Sequence, residues 1–218
     1  MLKKLLKIFN IKKIFFLIFV IIHFQNISLA DDIQKFQIEG MSIGDSALDY
    51  FSEPQLEDNE QGWHNYSYKE YSTSLVPGKG IYDWFLVSYN NNDEKFIIVN
   101  LVGGLAKKNY KKKKCNNKLD AAALNISKLF TNIKQENKKT YKLTAEESRK
   151  YPFTGKSHVT SISFNFSDNG EIILACYIMD KEANKNSNFV MSTLNQKDSF
   201  RISIRSYAFI NYLKKGNN

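Results

Sequence analysis

Two apolar runs on either side of a polar turn form the strongest pattern in the chain. Ile81–Tyr89 and Phe96–Val102 are rich in β-branched and aromatic residues, and Asn90–Lys95 between them is rich in Asn and Asp. Such runs, bounded by turn residues, are typical of a β-hairpin. Because an isolated hairpin is only marginally stable in water, we expect further strands or a helix to pack on it.

A second hairpin is predicted further along the chain. Val159–Phe166 and Glu171–Met179 flank an Asn169-Gly170 pair, and Asn-Gly is a strong signal for a tight hairpin turn. The return arm is apolar on both faces, which places it in the interior of the sheet. Strict alternation in 200–205 predicts a final strand, and the composition of Tyr66–Leu75 predicts another beside the first hairpin.

The clearest helical pattern covers Lys118–Ile133, where apolar residues recur at helical spacing behind a possible cap at Asn117. This stripe predicts a helix that covers one face of the sheet. Shorter helices are predicted at Tyr207–Lys214, capped by Ser206, and at Thr144–Glu147, limited by Pro152. The polar segments Gln55–Gly62 and Gln135–Lys142 are interpreted as connecting loops.

The segment Ile38–Pro54 predicts a capped helix near the start of the mature chain. Ser42 is a suitable N-cap, Asp45 can reach back to it, and Pro54 would end the helix. The Gly40-Met41-Ser42 start is similar to the helix starts of the small SmpA/OmlA-type envelope lipoproteins. That resemblance implies an exported bacterial α+β module in which helices pack on a small antiparallel sheet.

Grouped strands and helices, in place of alternating β-α units, indicate the α+β class. We expect an antiparallel sheet of about five to six strands packed against one long helix and two or three short helices. The predicted organisation is a signal peptide at residues 1–30, followed by a single α+β domain at residues 31–218.

The first thirty residues carry the features of an export signal. Five lysines precede the unbroken apolar run Ile14–Ile22, and Ser28-Leu29-Ala30 provides small residues before a cleavage site. The apolar run is too short to span a bilayer comfortably. We therefore expect a periplasmic or secreted protein cleaved after Ala30, with no membrane span after cleavage; the alternative is an N-terminal membrane anchor.

The two cysteines, Cys115 and Cys176, are a candidate disulfide, because an even count in an oxidising compartment favours pairing. The alternative is a pair of buried, reduced cysteines.

Basic residues concentrate in the second half of the chain. Ala106–Asn218 carries 22 basic and 9 acidic residues, whereas Asp31–Leu105 carries 4 lysines and 13 acids. The whole chain has 28 Lys and 3 Arg. Arginine is the residue suited to bidentate phosphate contacts, so its scarcity argues against a nucleic-acid target, and the predicted export argues against it as well. The densest basic run comprises Lys107, Lys108, Lys111, Lys112, Lys113 and Lys114. It is a candidate for binding an anionic surface, and the alternative is a solvated, lysine-rich loop.

Signals for catalysis are sparse. Gly44-Asp45-Ser46 resembles the start of the GDS(L) hydrolase motif, which implies Ser46 as nucleophile, but the late His158 lacks the Asp that the family places before its histidine. No metal-ligand spacing surrounds His64 or His158, and no cofactor motif is present.

The sequence favours a non-enzymatic binding or interaction module of the cell envelope, with an envelope protein or an anionic surface as partner. The alternatives are a small-ligand carrier, with an apolar pocket between the sheet and the long helix, and a GDS-type serine hydrolase.

Overall fold

The part of the chain that the structure describes contains an antiparallel sheet of eight strands. The computed structural model describes residues 33–61, 70–90, 92–106, 111–130, 132–143, 157–179 and 198–215. The strands across these residues are β1 (Tyr71–Pro77), β2 (Trp84–Asn90), β3 (Ile98–Ala106), β4 (Lys134–Gln135), β5 (Lys139–Lys142), β6 (His158–Asn165), β7 (Glu171–Ile178) and β8 (Ser199–Arg205). Their order is β1-β2-β3-β8-β7-β6, with β4 and β5 paired to β6.

Both predicted hairpins and the final strand are confirmed. β2 pairs with β3, β6 pairs with β7, and β7 lies in the interior of the sheet as predicted. Asn169 adopts the left-handed φ of 62° that the hairpin turn requires. The last strand, β8, lies between β3 and β7 and joins the two hairpins into one sheet.

Three α-helices accompany the sheet in the described residues: α1 (Glu53–Glu57), α2 (Lys112–Leu129) and α3 (Tyr207–Lys215). The α+β class is therefore confirmed. The helix α3 begins after Ser206, whose Oγ accepts a hydrogen bond from Phe209 N at 3.2 Å, as predicted. No helix in the described ranges is both long and apolar enough to cross a membrane.

The main core fills the space between α2 and one face of the sheet. The helix contributes a buried stripe, and β6, β7 and β8 contribute alternate side chains to the same cluster. Its fully or nearly fully buried members include Leu119, Ile126, Phe164, Ile172, Leu174, Phe200 and Ile204.

A disulfide joins this helix to this sheet. Cys115 in the first turn of α2 and Cys176 in β7 are bonded, 61 residues apart in sequence and 5.9 Å apart between Cα atoms. The predicted pairing is therefore confirmed. Because both residues are buried, the bond forms part of the core.

The predicted helix at Ile38–Pro54 is wrong. Its backbone hydrogen bonds go to the start of β3, with Gly44 N donating to Ile98 O at 2.9 Å and Ala47 N donating to Phe96 O at 3.0 Å. A 3₁₀ turn forms at Ala47–Asp49, and Pro54 lies in the first turn of α1 instead of ending a helix. Ile43, Ala47 and Phe51 are still buried, because the segment packs as an irregular strap against the core, whereas Leu48 is exposed.

The long helix begins earlier than predicted, at Lys112, and ends at Leu129. Asn117 is therefore inside the helix, and Lys111 at the N-cap makes no side-chain capping bond. Burial of Cys115 extends the apolar stripe by one turn toward the N-terminus. Packing and the disulfide thus determine where this helix starts, overriding the capping signal.

The predicted strand count was too low because the polar connector 135–142 contains β5 and the end of β4. These short strands satisfy their backbone groups by pairing with β6 while their side chains remain exposed. Lysines on such an edge discourage further strand pairing. The predicted loop at Gln55–Gly62 likewise contains most of α1.

Several predictions fall outside the described residues. They are the export signal at residues 1–30, the helix at Thr144–Glu147, the first part of the strand Tyr66–Leu75, and Lys107 and Lys108.

Candidate functional site

A cavity of about 200 Å³ lies on the face of the sheet opposite α2. Side chains alternate between the two faces of a strand, so that on β7 Cys176 faces α2 while Ala175 and Tyr177 face the cavity. The carrier hypothesis placed a pocket between the sheet and the long helix, whereas this cavity lies between the sheet and the short helix α3. The described residues that line it are Trp84, Leu86, Asn100, Val102, Ile173, Ala175, Tyr177, Arg201, Ser203, Arg205, Phe209 and Leu213.

One end of the cavity is built from a row of residues across three strands. Trp84 on β2 is paired with Gly104 on β3, and Gly104 is paired with Arg201 on β8. A Cβ placed on Gly104 would lie 2.0 Å from the indole Cε2, so the ring of Trp84 occupies the space above this glycine. The missing side chain at position 104 allows the indole to extend across β3 toward β8.

Arg201 is held between this indole and a second aromatic ring. Its guanidinium carbon lies 5.2 Å from the Trp84 ring centroid and 3.7 Å from that of Tyr177. Its Nε donates a hydrogen bond to Ser199 Oγ at 3.0 Å. A guanidinium stacked on an aromatic face is attracted by the ring quadrupole, and the stacking fixes its plane. The N–H groups of a stacked guanidinium lie in that plane and are directed away from the ring.

The second arginine of the cavity forms an ion pair. Arg205 Nη1 lies 3.2 Å from Glu171 Oε1, and both side chains are largely shielded from solvent. Arg205 Nε and Trp84 Nε1 are buried and have no hydrogen-bond partner among the residues that the structure describes. Buried polar groups are nearly always paired, so each exception calls for an explanation. Both exceptions here are hydrogen-bond donors on residues that line the cavity.

A row of polar side chains leads to the cavity from the β1 edge. Thr73 Oγ1 and Ser88 Oγ are 2.9 Å apart, and Asn100 Nδ2 donates to Ser88 Oγ at 2.9 Å. Ser203 Oγ then donates to Asn100 Oδ1 at 3.4 Å. These four buried residues satisfy one another, so this part of the floor is polar and pre-organised.

An aromatic cluster holds α3 on the sheet beside the cavity. Tyr71 of β1 makes edge-to-face contacts with Phe209 and Tyr212, at centroid distances of 5.8 and 4.9 Å. Burial, reinforced by the charge of Glu70 and a hydrogen bond to it, raises the pKa of Tyr71 to about 12. The helix that forms one wall of the cavity is therefore fixed by ring contacts.

The predicted lysine run stands apart from this cavity. Lys111 precedes α2 and Lys112, Lys113 and Lys114 form its first turn, all exposed. The alternative of a solvated loop is wrong for Lys112, Lys113 and Lys114, which begin a helix. Positive charges at a helix N-terminus are unfavourable with respect to the helix dipole, so an anionic partner would offset this arrangement.

The residues singled out for hydrolysis are not brought together. Ser46 caps the 3₁₀ turn: its Oγ donates to Lys95 O at 2.6 Å and accepts from Leu48 N at 3.2 Å. His158 begins β6, where it pairs with Ile178 and with Lys142 of β5. Within the described ranges, no group of three or more His, Cys, Asp and Glu side chains is placed to hold a metal ion.

Sequence reasoning predicted the strand that carries the arginines but missed the cavity. The available signal was the placement of two of the three arginines, Arg201 and Arg205, on the same face of β8. Almost all the other basic residues of the chain are lysines. What the pattern could not provide was the register that aligns Trp84, Gly104 and Arg201.

Comparison with known proteins identifies no relative: no family model, no curated protein and no solved structure matches this chain.

Proposed function

We propose that this chain is an exported, non-enzymatic binding protein of the cell envelope that holds a small ligand between the sheet and α3. The observation that carries the proposal is the cavity itself, lined by apolar side chains and a few oriented polar groups. Ligand sites typically combine these features. The export part rests on the predicted signal and is supported by the disulfide, because such bonds persist in oxidising compartments.

The polar groups of the cavity favour binding over catalysis. Asn100 and Ser203 are engaged in the polar row, and the two arginines are acids too weak to transfer protons at neutral pH. Ser46 is hydrogen bonded to backbone groups beside the turn between β2 and β3, and it does not line the cavity. The described residues therefore supply recognition groups, and a binding role uses them as they stand.

Native mass spectrometry of the protein purified from its native host tests this function. We expect the wild-type chain to retain the mass of a small molecule. Ile173→Trp, which places a bulky ring in the cavity, should abolish the retained mass. Leu124→Trp is the matched control, because Leu124 is exposed on α2.

Retention of the same mass by Ile173→Trp, or no retained mass in the wild-type protein, would contradict the proposal. Near-ultraviolet circular dichroism of both variants establishes that each is folded, so that a lost ligand reflects the cavity.

The lysines of the first turn of α2 support a second proposal, the binding of an anionic surface. Lys111 at the N-cap and the three lysines of that turn are exposed, and the turn contains no acidic residue. Each lysine near a charged membrane contributes about 1 kcal/mol. Reversal of Lys111–Lys114 to glutamate should abolish binding to anionic liposomes. Reversal of the lysines of the β4–β5 edge is the matched control, at Lys134, Lys138, Lys139 and Lys142. Unchanged binding after the first reversal would contradict this role.

A further inference from the structure

Asn169, in the turn between β6 and β7, is the one asparagine of the chain that is followed by a glycine. Asparagine before glycine is the dipeptide most prone to spontaneous deamidation, because no side chain hinders the amide nitrogen of the glycine. Asn169 is exposed, so water and hydroxide reach its side chain. The chemistry of this modification therefore depends on how the turn holds the two residues.

Deamidation begins at the backbone nitrogen of Gly170. This nitrogen loses its proton to hydroxide and forms a bond to Cγ of Asn169. The bond between Cγ and the side-chain nitrogen then breaks, and that nitrogen takes a proton from water and leaves as ammonia. Water opens the resulting succinimide ring to aspartate or isoaspartate. The attacking nitrogen must therefore be free to lose its proton and to approach Cγ.

In the folded protein this nitrogen is engaged by a carboxylate. Gly170 N donates a hydrogen bond to Asp168 Oδ1 at 2.8 Å. A hydrogen bond to a charged acceptor contributes about 1.5–3 kcal/mol, all of which the attack must forgo. The negative charge of the acceptor also disfavours the amide anion that performs the attack. Asp168 thus raises the barrier to the first step.

The peptide group between Asn169 and Gly170 is also restrained on both sides. Asn169 N donates to Phe166 O at 3.0 Å, and Gly170 O accepts from Phe166 N at 2.9 Å. Gly170 is buried, and a Cβ placed on it would lie 2.8 Å from Cδ1 of Ile33. Movement of the nitrogen toward Cγ therefore requires the turn to open locally.

We propose that Asn169 is a site of spontaneous deamidation that the folded turn protects, with Asp168 as the positioning residue that holds the attacking nitrogen. The modification is independent of ligand binding in the cavity. Aspartate at position 169 would place a second negative charge beside Asp168. Isoaspartate would lengthen the backbone of the turn and disturb the pairing of Asn165 with Glu171, where the hairpin begins. Protection of Asn169 thus preserves the register of β6 and β7.

Peptide mapping by mass spectrometry at mildly alkaline pH tests the proposal, because it detects replacement of the side-chain nitrogen of residue 169 by oxygen. We expect slow conversion in the folded wild-type protein and fast conversion in the same protein unfolded by urea and dithiothreitol. Asp168→Ala should accelerate conversion of the folded protein at least about tenfold, as expected for loss of a hydrogen bond to a charged acceptor. In urea, this variant and the wild type should convert at similar rates.

Two further variants identify the acceptor oxygen as the cause. Asp168→Ser keeps a weaker, uncharged acceptor that can reach the same nitrogen, so its rate should lie between those of the wild type and Asp168→Ala. Ser167→Ala, at the neighbouring exposed position, is the matched control and should convert at the wild-type rate. Asn169→Gly should show no conversion at this position, which verifies the assignment of the modified residue.

Each part of the proposal can fail separately. Equal rates in folded and unfolded wild-type protein would overturn protection by the turn, and no conversion in the unfolded protein would overturn the site itself. Equal rates in folded Asp168→Ala and wild type would overturn the role of Asp168. Urea unfolding measures the global stability of the variants, and an acceleration fully matched by a loss of global stability would also overturn that role. The comparison of folded and unfolded wild type needs no variant.

Discussion

The indole of Trp84 fills the space that a side chain at Gly104 would need, and the two residues are directly paired across β2 and β3. This relationship makes position 104 sensitive to the smallest substitution. Gly104→Ala should displace the indole and destabilise the fold by about 1–3 kcal/mol, the usual range for overpacking. Urea unfolding followed by circular dichroism measures the change.

Gly80→Ala is the control for this substitution. A Cβ there would meet the carboxylate of Glu39, which is the end of a flexible side chain and can move aside. A loss of stability in Gly80→Ala as large as that in Gly104→Ala would contradict the role assigned to the indole.

Loss of the Cys115–Cys176 bond should destabilise the protein strongly. Closure of a loop of this length contributes about 4 kcal/mol in the chain-entropy model. The double variant Cys115→Ser, Cys176→Ser should unfold at a lower urea concentration, as should the wild-type protein in dithiothreitol. The reductant should not affect the double variant, and a further shift there would show that its effect has another source.

High pH should weaken the attachment of α3 through Tyr71. The pKa of Tyr71 is about 12 in the folded protein and 10 for an ordinary tyrosine, so between these values the folded state binds more protons than the unfolded state. The free energy of unfolding therefore falls as the pH rises through this window, by about 1 kcal/mol for this residue between pH 9 and pH 11. Urea midpoints at about pH 9 and about pH 11 measure the fall.

Tyr71→Phe should reduce this pH dependence, because the variant has no phenol to ionise at position 71. Tyr207→Phe is the control, since Tyr207 is half exposed at the start of α3. Tyr207→Phe should lose stability with pH as steeply as the wild type. If Tyr71→Phe does so too, the buried phenol is not the source of the pH dependence.

Two substitutions of Asn169, in the turn between β6 and β7, should differ in their effect on stability. Asn169→Ala places an ordinary side chain at a φ of 62° and should cost about 1 kcal/mol, whereas Asn169→Gly should be close to neutral. Thermal unfolding of both variants provides the comparison. Equal melting temperatures would show that the left-handed conformation is not a requirement of this turn.

Local patterns in the sequence predicted the local structure well. The two hairpins, the last strand, its following helix and the cysteine pair all depend on alternation, turn chemistry or compartment, which a single sequence displays. Ile38–Pro54 failed because its apolar spacing fits a helix, but its backbone groups find partners at residues 96–98 instead. Tertiary hydrogen bonds overrode propensity there.

The cavity could not be predicted, because it depends on pairings between distant segments. Trp84 and Arg201 are separated by more than a hundred residues and meet only when β8 pairs with β3 in the observed register. A shift of one residue would turn Arg201 toward the core and Phe200 toward the cavity. The sequence of β8 alone does not show which residues of β3 it pairs with. Packing of its apolar face against α2 selects the observed register.

The position of β8 has a consequence for the order of folding. This strand follows both hairpins in the sequence, yet it lies between β3 and β7, so neither hairpin can join the other until residues 199–205 are present. A nascent chain therefore carries two separate half-sheets, with the edges of β3 and β7 unpaired, until β8 emerges. Non-local pairing of this kind is slow to form. Chains truncated before β8 should therefore be unable to join the two hairpins into one sheet.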